Sequence, residues 1–503
     1  ILLDADTPLM RHYSGPGTLT SIADLPDQAA VVARLAELSA GHVNLWLVAD
    51  PAASAITAAH LRQGLEAIAT PIYTASIASA TISRYVMRDD GTPNGAVRDT
   101  RYTDFSSQLT LTDAVLPSTP VNDAFRVLLR WQAPTPTSTD LHASLTLRDP
   151  AGHLWAEVGQ LVLNGVYFPT SVWPPGEWAD NVMTLKLPAH IPPSTYGVQL
   201  TVADGEGAQL GAWDANGQFQ GVRVPLGEVE IAPPVEPGGP APCTAGHTLT
   251  GGPLLACAPD LTPLTIPSGD VFTLALTWSS TAPPEADYRV RWRLLDSAGS
   301  VALEQTADLC PYTTSHWRAG DSFEARYDLR LDPALPAGRY TVALNVLASN
   351  GRPLWPEDET LTAVEILPRD RLLELPADIA HPLDLTLGTT VHLRGFDLPR
   401  HSGEEGTGAG ALRPGDTLSL ILYWQADGPT DIDYTTFVHL VGPDGRPHGQ
   451  VDQLVGGTPT TSWAPGQVIV DEIALAVAAD APGGTYHIAV GMYNATSGGR
   501  LPV

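Results

Sequence analysis

The sequence predicts a mainly β protein: three tandem immunoglobulin-like β-sandwich domains preceded by a small α/β domain. Three observations predict it. A set of tryptophan, glycine and tyrosine markers recurs three times at shared spacing. Apolar residues between the markers alternate with period two, as on half-buried strands. Helical spacing of apolar residues is confined to the first hundred residues.

Residues 1–104 form the α/β domain. "DLPDQAAVVARLAELSAG" opens on aspartates, repeats Ala, Val and Leu at helical intervals and closes on Gly, which predicts a helix. "HVNLWLVAD" is a short apolar run between polar residues and predicts a buried strand. "ITAAHLRQGLEAIA" predicts a second amphipathic helix, and "PIYTASIASATISRYVMRD" one or two further strands. Helix, strand, helix, strand makes a small unit holding a piece of sheet. No Gly-x-Gly-x-x-Gly or Walker loop follows its strand.

The sandwiches are expected at 105–232, 244–367 and 380–503. Each begins its repeat with an alternating run that ends on a tryptophan: "FRVLLRW" at Trp131, "FTLALTW" at Trp278 and "LSLILYW" at Trp424. A turn glycine follows 21 residues later in every copy, as Gly152, Gly299 and Gly445. A second tryptophan stands 39 residues after the first in two copies (Trp317, Trp463) and 42 after it in the first copy (Trp173). A tyrosine then follows by 23 residues: Tyr196, Tyr340 and Tyr486. One three-residue insertion separates the first copy from the others.

The pieces have physical readings. Leu141, Ala143, Leu145 and Leu147 match Tyr288, Val290, Trp292 and Leu294, and then Tyr434, Thr436, Val438 and Leu440, one face of a strand in each copy. "DPAG", "DSAG" and "PDG" place glycine where a hairpin turn needs positive φ. The three tyrosines, each with proline before it, match the tyrosine corner of Greek-key sandwiches, in which the hydroxyl ties an arch to a backbone group. "APPVEPGGPAP" (232–242) is a Pro/Gly linker, extended and semi-rigid. The stretch 367–382 separates the second and third copies, and 400–416 is a Gly-rich acidic loop within the third.

Composition limits the function. The net charge is −28 with only one lysine, Lys186, among 27 basic residues. Such a surface repels phosphate backbones and anionic headgroups, so nucleic acid is not an expected partner. No apolar run is long enough to span a membrane. The chain starts at Ile1 with neither an initiator Met nor a signal peptide, and is read as a mature or truncated product. Its three cysteines are too few for a disulfide framework; Cys257 with Cys243, or Cys257 with Cys310, are the candidate bridges of an oxidising compartment.

No G-x-S-x-G elbow, H-E-x-x-H, EF-hand loop or zinc spacing is present. Asp427, Asp431 and Asp433 are the one cluster with the hard oxygen ligands of a structural calcium site, set against the plainer reading of a solvated loop. Otherwise no cofactor is expected. Trp131, Trp278 and Trp424 read as core residues. Trp173, Trp317 and Trp463 cap the sandwich ends or, alternatively, stack sugars. Trp155, Trp178, Trp213 and Trp355 fall outside the repeat, where a ligand role would more readily sit. Asn494 in "NATS" is a glycosylation sequon.

"YWQAD", "FVHLVGPDGRP", "GGTPTTSWAPGQVIVDEIAL" and "PGGTYHIAVGMYN" with "GGRLPV" resemble the soluble β-sandwich segments after the membrane-embedded part of mannosyltransferase-like glycosyltransferases of Chloroflexota bacteria. "VNLWLVAD" and the helix after it resemble the α/β element before those segments. The resemblance implies an extracytoplasmic location. It brings no catalytic residue, because that family's catalytic acids lie in membrane loops absent from this sequence. The expected function is therefore a non-catalytic extracellular structural or assembly protein, a cell-surface, sheath or appendage subunit whose partners are further copies or other surface proteins. The alternative is a glycan- or substrate-binding ectodomain.

Overall fold

The computed structural model describes residues 98–137, 139–161, 169–176, 178–239, 243, 247–258, 264–398, 412–495 and 498–503, with shorter stretches before them: 2–3, 20–21, 28–39, 44–49, 61, 65, 69–77 and 80–87. The described part is mainly β, with most strands paired antiparallel. The expected loop 400–416 lies outside the described residues up to 411.

At the N-terminus, helix Gln28–Ser39 accompanies a five-stranded sheet. Strand Asn44–Ala49 pairs antiparallel with Ala80–Met87, which continues into a hairpin with Ala69–Ile77. Leu2–Leu3 and Thr20–Ser21 extend the other edge in parallel. Leu35 of the helix, Leu45 and Leu47 of the sheet, and Tyr85 close a small core. Of the second expected helix, Leu61, Leu65 and Ala69 are described: the leucines are helical and Ala69 begins a strand, and all three are buried in that core.

Each repeat is a pair of sheets enclosing one apolar cluster. In all three, the strand ending at the first tryptophan pairs with the strand that follows the second: Ala124–Gln132 with Trp178–Lys186, Val271–Ser280 with Ser322–Arg330, and Thr417–Ala426 with Val468–Ala476. In the facing sheet, the strand before the turn glycine sits between the strand after that glycine and the tyrosine strand. Thus His142–Arg148 lies between Leu154–Leu161 and Thr195–Ala203, Arg289–Leu295 between Val301–Asp308 and Gly338–Leu347, and Tyr434–Val441 between Pro447–Leu454 and His487–Asn494. Gly152, Gly299 and Gly445 have φ of 94°, 78° and 76°, a region that only glycine enters without penalty. The alternation places the apolar residues inward: Val127, Leu129 and Trp131 are buried, as are Leu274, Leu276 and Trp278.

One strand crosses an expected boundary. Arg98–Phe105 pairs with Leu109–Val115 and with Ala212–Asp214, so it belongs to the first repeat's six-stranded sheet and that repeat begins before residue 105. Its sequence, RDTRYTDF, carries too many polar residues for the period-two signal to register.

Cys243 is bonded to Cys257 across 14 residues. This ties the end of the first linker to strand Leu254–Ala258. Cys310 is a buried thiol. Closing a loop of this length is worth about 3 kcal/mol in the chain-entropy account. Reduction with a thiol should accordingly lower the unfolding midpoint of the second repeat, and a Cys243→Ser/Cys257→Ser variant should show no further drop.

Candidate functional site

The six repeat tryptophans are interior. Trp131, Trp278, Trp424 and Trp463 are 0% exposed, and Trp173 and Trp317 are 2% exposed. A stacked sugar needs an open ring face, and none of the six has one. The three tyrosines act alike: the Tyr196, Tyr340 and Tyr486 hydroxyls donate to the carbonyls of Pro192, Pro336 and Pro482 at 2.8, 2.9 and 2.6 Å. The tie spans four residues each time, the geometry of a tyrosine corner.

A further repeated device went unread in the sequence. Three residues before the second tryptophan stands Thr170, Thr314 or Thr460. Its hydroxyl accepts from the backbone N–H of Leu141, Tyr288 or Tyr434, at 2.8, 2.9 and 3.0 Å. The aspartate just before that N–H, Asp140, Asp287 or Asp433, accepts in turn from the backbone N–H of Ser171, Ser315 or Thr461 at 3.2, 2.9 and 3.1 Å. Each short 3-10 turn beneath a tryptophan is thus clipped to the neighbouring strand by two side chains that satisfy backbone donors. The signal was legible: Asp precedes the second strand in all three copies, and Thr precedes Trp by three.

This clip also accounts for Asp433, one of the three expected calcium ligands. Asp427 instead faces His392, whose Nε2 lies 3.1 Å from its carboxylate, and Asp431 contributes its backbone carbonyl to Arg330 at 3.0 Å. The three carboxylates do not converge. Among the described residues no group of three or more His, Cys, Asp or Glu could hold a metal ion. A cavity of about 10 Å³ within the second repeat, lined by Phe272, Trp292, Leu294, Leu303 and Leu329 among others, has room for one water at most. Asn494 ends the last strand, its N–H donating to Gly499 and its carbonyl accepting from Gly498, both at 2.8 Å.

What remains distinctive lies between the repeats, each of which touches both others. At the first–second joint, His153 is gripped from both sides, Nδ1 2.8 Å from Asp149 and Nε2 2.9 Å from Asp328. Trp155 donates to Asp149 at 2.9 Å and lies edge-on to Tyr196. Arg326 stacks on Trp155 at 3.9 Å and donates to the Leu154 carbonyl at 2.6 Å. His190, at a φ of 65°, offers its carbonyl to the Glu324 N–H at 2.8 Å. The hydrogen bonds His153 donates to Asp149 and Asp328 raise its pKa to about 9 against the loss from burial. Burial alone would raise both aspartates, but the bonds from His153, with Trp155 on one and Thr273 on the other, bring them below the usual range.

The sign of the pH dependence follows. A histidine raised from 6.5 to about 9 contributes its full stability below pH 6.5 and loses it as pH climbs through 9. The aspartates, lowered from 3.8, contribute above that value and fail in acid. Melting temperature should therefore fall between pH 7 and 10, and His153→Gln should flatten that fall. Parallel decline in both proteins would remove His153 from the account.

The second–third joint is built on arginines. Arg330 donates to the carbonyls of Thr430 and Asp431, both at 3.0 Å. On the linker, Arg369 donates to Ser462 Oγ and Asp270, both at 2.7 Å. Arg371 donates to the carbonyls of Ser462 at 3.0 Å and Ser268 at 2.8 Å, and to Gln467. The fixed fork of guanidinium donors suits such convergent carbonyls. The first linker is pinned the same way: Arg318 donates to the carbonyls of Pro234 at 2.7 Å and Val235 at 2.9 Å.

At the first–third joint, the hairpin of Ala212–Asp214 and Phe219–Gly221 lies on the outer face of the third repeat's three-stranded sheet. Phe219 meets Phe437 at 5.9 Å, Tyr493 at 5.8 Å and His439 at 4.4 Å between ring centres. Trp213 packs against Phe219 and His439. Arg500 stands 4.6 Å over Phe437 and 5.5 Å over Phe219. Burial pushes His439 down to about 4 and Asp452, across the strand pair from Phe437, up to about 7.

Of the non-repeat tryptophans, Trp155 and Trp213 are thus joint residues, Trp355 is buried in the second core, and the side chain of Trp178 lies outside the described residues. The site and fold define a mainly β protein whose copy-specific residues fasten its repeats together. No family model and no curated protein matches the chain. Among solved structures it is similar to a putative membrane anchored protein from Corynebacterium diphtheriae, at 12% identity over 79% of this chain and 92% of that one, with a TM-score of 0.15. It is also similar to the C-terminal domain of the Streptococcus pyogenes antigen I/II-family protein AspA, at 10% identity over 53% of this chain and all of that one, with a TM-score of 0.16. The chain spans 28% of an alkylpurine DNA glycosylase from Pseudomonas fluorescens and 32% of red sea bream transglutaminase, with TM-scores of 0.15 and 0.14. At these scores no function passes from any of them to this chain.

Proposed function

We propose that the protein is a non-catalytic extracellular structural or assembly protein, a cell-surface, sheath or appendage subunit built from three tandem immunoglobulin-like sandwiches. One observation carries the reading: residues that differ between copies, where a unique site would arise, are spent on joints. His153, Trp155, Trp213, Arg369 and Arg371 each bridge repeats or hold the linker between them. The Cys243–Cys257 bridge supports an oxidising compartment. The glycan-binding ectodomain has no comparable support, since the repeat tryptophans offer no open ring face.

Small-angle scattering of dilute protein, followed by negative-stain imaging of concentrated protein, tests this reading. A compact three-body particle that assembles into filaments or sheets is the expected result. A particle that stays monomeric at every concentration, alone and with other surface proteins of its source, would sink it.

A further inference from the structure

Among the described residues, the third repeat has no counterpart of a strand that closes the other two. In the first repeat, the tyrosine strand Thr195–Ala203 has Val224–Glu230 as its antiparallel neighbour, and in the second Gly338–Leu347 has Glu359–Leu367. In the third, the tyrosine strand His487–Asn494 is the outermost of its sheet. The two closing strands are alike. Each reaches Val-Glu-Ile near its end, residues 229–231 and 364–366. The Val and Ile of each are buried in the core, with Val229 opposite Tyr196 and Val364 opposite Tyr340. Each ladder also shifts register at the same place, Val198/Gln199 and Val342/Ala343. No Val-Glu-Ile follows Tyr486 in the sequence.

The core registers the difference. Val342 and Leu344, which follow Tyr340 by two and four residues, are buried, as are Val198 and Leu200 after Tyr196. At the same positions, Ile488 and Val490 are only partly buried, and so is Tyr486. Six residues before the first tryptophan, Leu418 is partly buried where Phe125 and Phe272 are buried. The far end of the strand matches its siblings: the Leu501 N–H donates to the Met492 carbonyl at 2.9 Å, as Leu210 does to Val202 and Leu354 to Val346, both at 2.8 Å. The difference is thus confined to the edge at residues 487–490. Unpaired N–H and C=O groups on a sheet edge are a template for a further strand. Every strand of the described residues already has a place in a sheet, so a second copy could donate one only by breaking a sandwich of its own. We propose that the edge of His487–Asn494 takes an added antiparallel strand from a separate polypeptide, an extended segment whose alternate apolar residues enter the core beside Tyr486 as Val229 and Val364 do beside their tyrosines. The inference rests on this edge alone and stands apart from the assembly role proposed above.

The test is fluorescence anisotropy of a labelled ETLTAVEIL peptide, the closing strand of the second repeat, against the full chain. High salt screens the repulsion between the acidic partners. A control peptide carries Val364→Ser and Ile366→Ser, which keep its length and charge, so the protein itself is unaltered throughout. Hydrogen exchange follows the amides of residues 487–490 that point away from strand Tyr434–Val441. Saturable binding, at least tenfold weaker for the control peptide, with new protection at those amides, is the expected outcome. No binding, equal binding of the two peptides, or binding that leaves those amides exchanging as before would overturn the proposal. So would amides already protected in dilute protein, since the edge would then be covered from within its own chain. Protection that appears only with a concentration-dependent dimer would overturn it too, by assigning the edge to a second copy.

Discussion

Trp278→Ala is expected to cost roughly 3–5 kcal/mol and to melt the second repeat at a temperature where the unaltered protein is fully folded. Trp278 is fully buried, among Leu274, Leu276, Trp292 and Tyr327. Removing the indole leaves a void that a close-packed interior fills only in part. It also strands a hydrogen-bond chain. The Trp278 Nε1 donates to the Tyr327 hydroxyl at 2.8 Å, and that hydroxyl donates to the Leu309 carbonyl. Trp278→Phe keeps most of the ring volume and loses that bond, so it should cost nearer 1–2 kcal/mol. Since a domain is held by only about 5–15 kcal/mol, the two variants should separate clearly in urea titrations read by hydrogen exchange in strand Gly338–Leu347. Equal costs would mean that ring volume contributes nothing.

Gly221→Val should open the first–third joint while leaving each repeat folded. Gly221 has a φ of 96°, which a β-branched residue adopts only at a cost of roughly 1–3 kcal/mol. Its missing side chain is also the space that Tyr493 occupies: a Cβ would stand 2.7 Å from Cε2 of that ring. The ring cannot retreat, because Tyr493 is 1% exposed and packs between Phe219 and Phe437. The hairpin must therefore lift. The radius of gyration should rise in scattering, and protection should fall in strand Pro447–Leu454, with far-ultraviolet circular dichroism unchanged. A scattering curve indistinguishable from that of the unaltered protein would show that the hairpin does not carry the joint.

The repeats were legible in the sequence because their information is local and threefold. Period two marks the strands, glycine marks the turns, and a proline four residues before a tyrosine marks each corner tie. The Thr–Asp clip was legible by the same logic. Asp433 has Asp427 and Asp431 as neighbours in sequence, but its counterparts in the repeat are Asp140 and Asp287. Strand Arg98–Phe105 escaped because its residues are mostly polar. The joints were not legible, and for a different reason. His153 and Asp328 are 175 residues apart, and Arg369 and Ser462 are 93 apart. Nothing in the periodicity of either stretch names its partner, and none of these contacts recurs. Only the fold brings them together.

The closure of three bodies on one another has a mechanical consequence. A pull separating the first repeat from the third loads the aromatic hairpin contact before it loads any strand. Once that contact parts, the buried cluster of Phe219, Phe437 and Tyr493 opens to water, so the joint resists the pull with an apolar contact of its own. Tension on the molecule is thus taken first by a contact between repeats, ahead of the strand ladders within them.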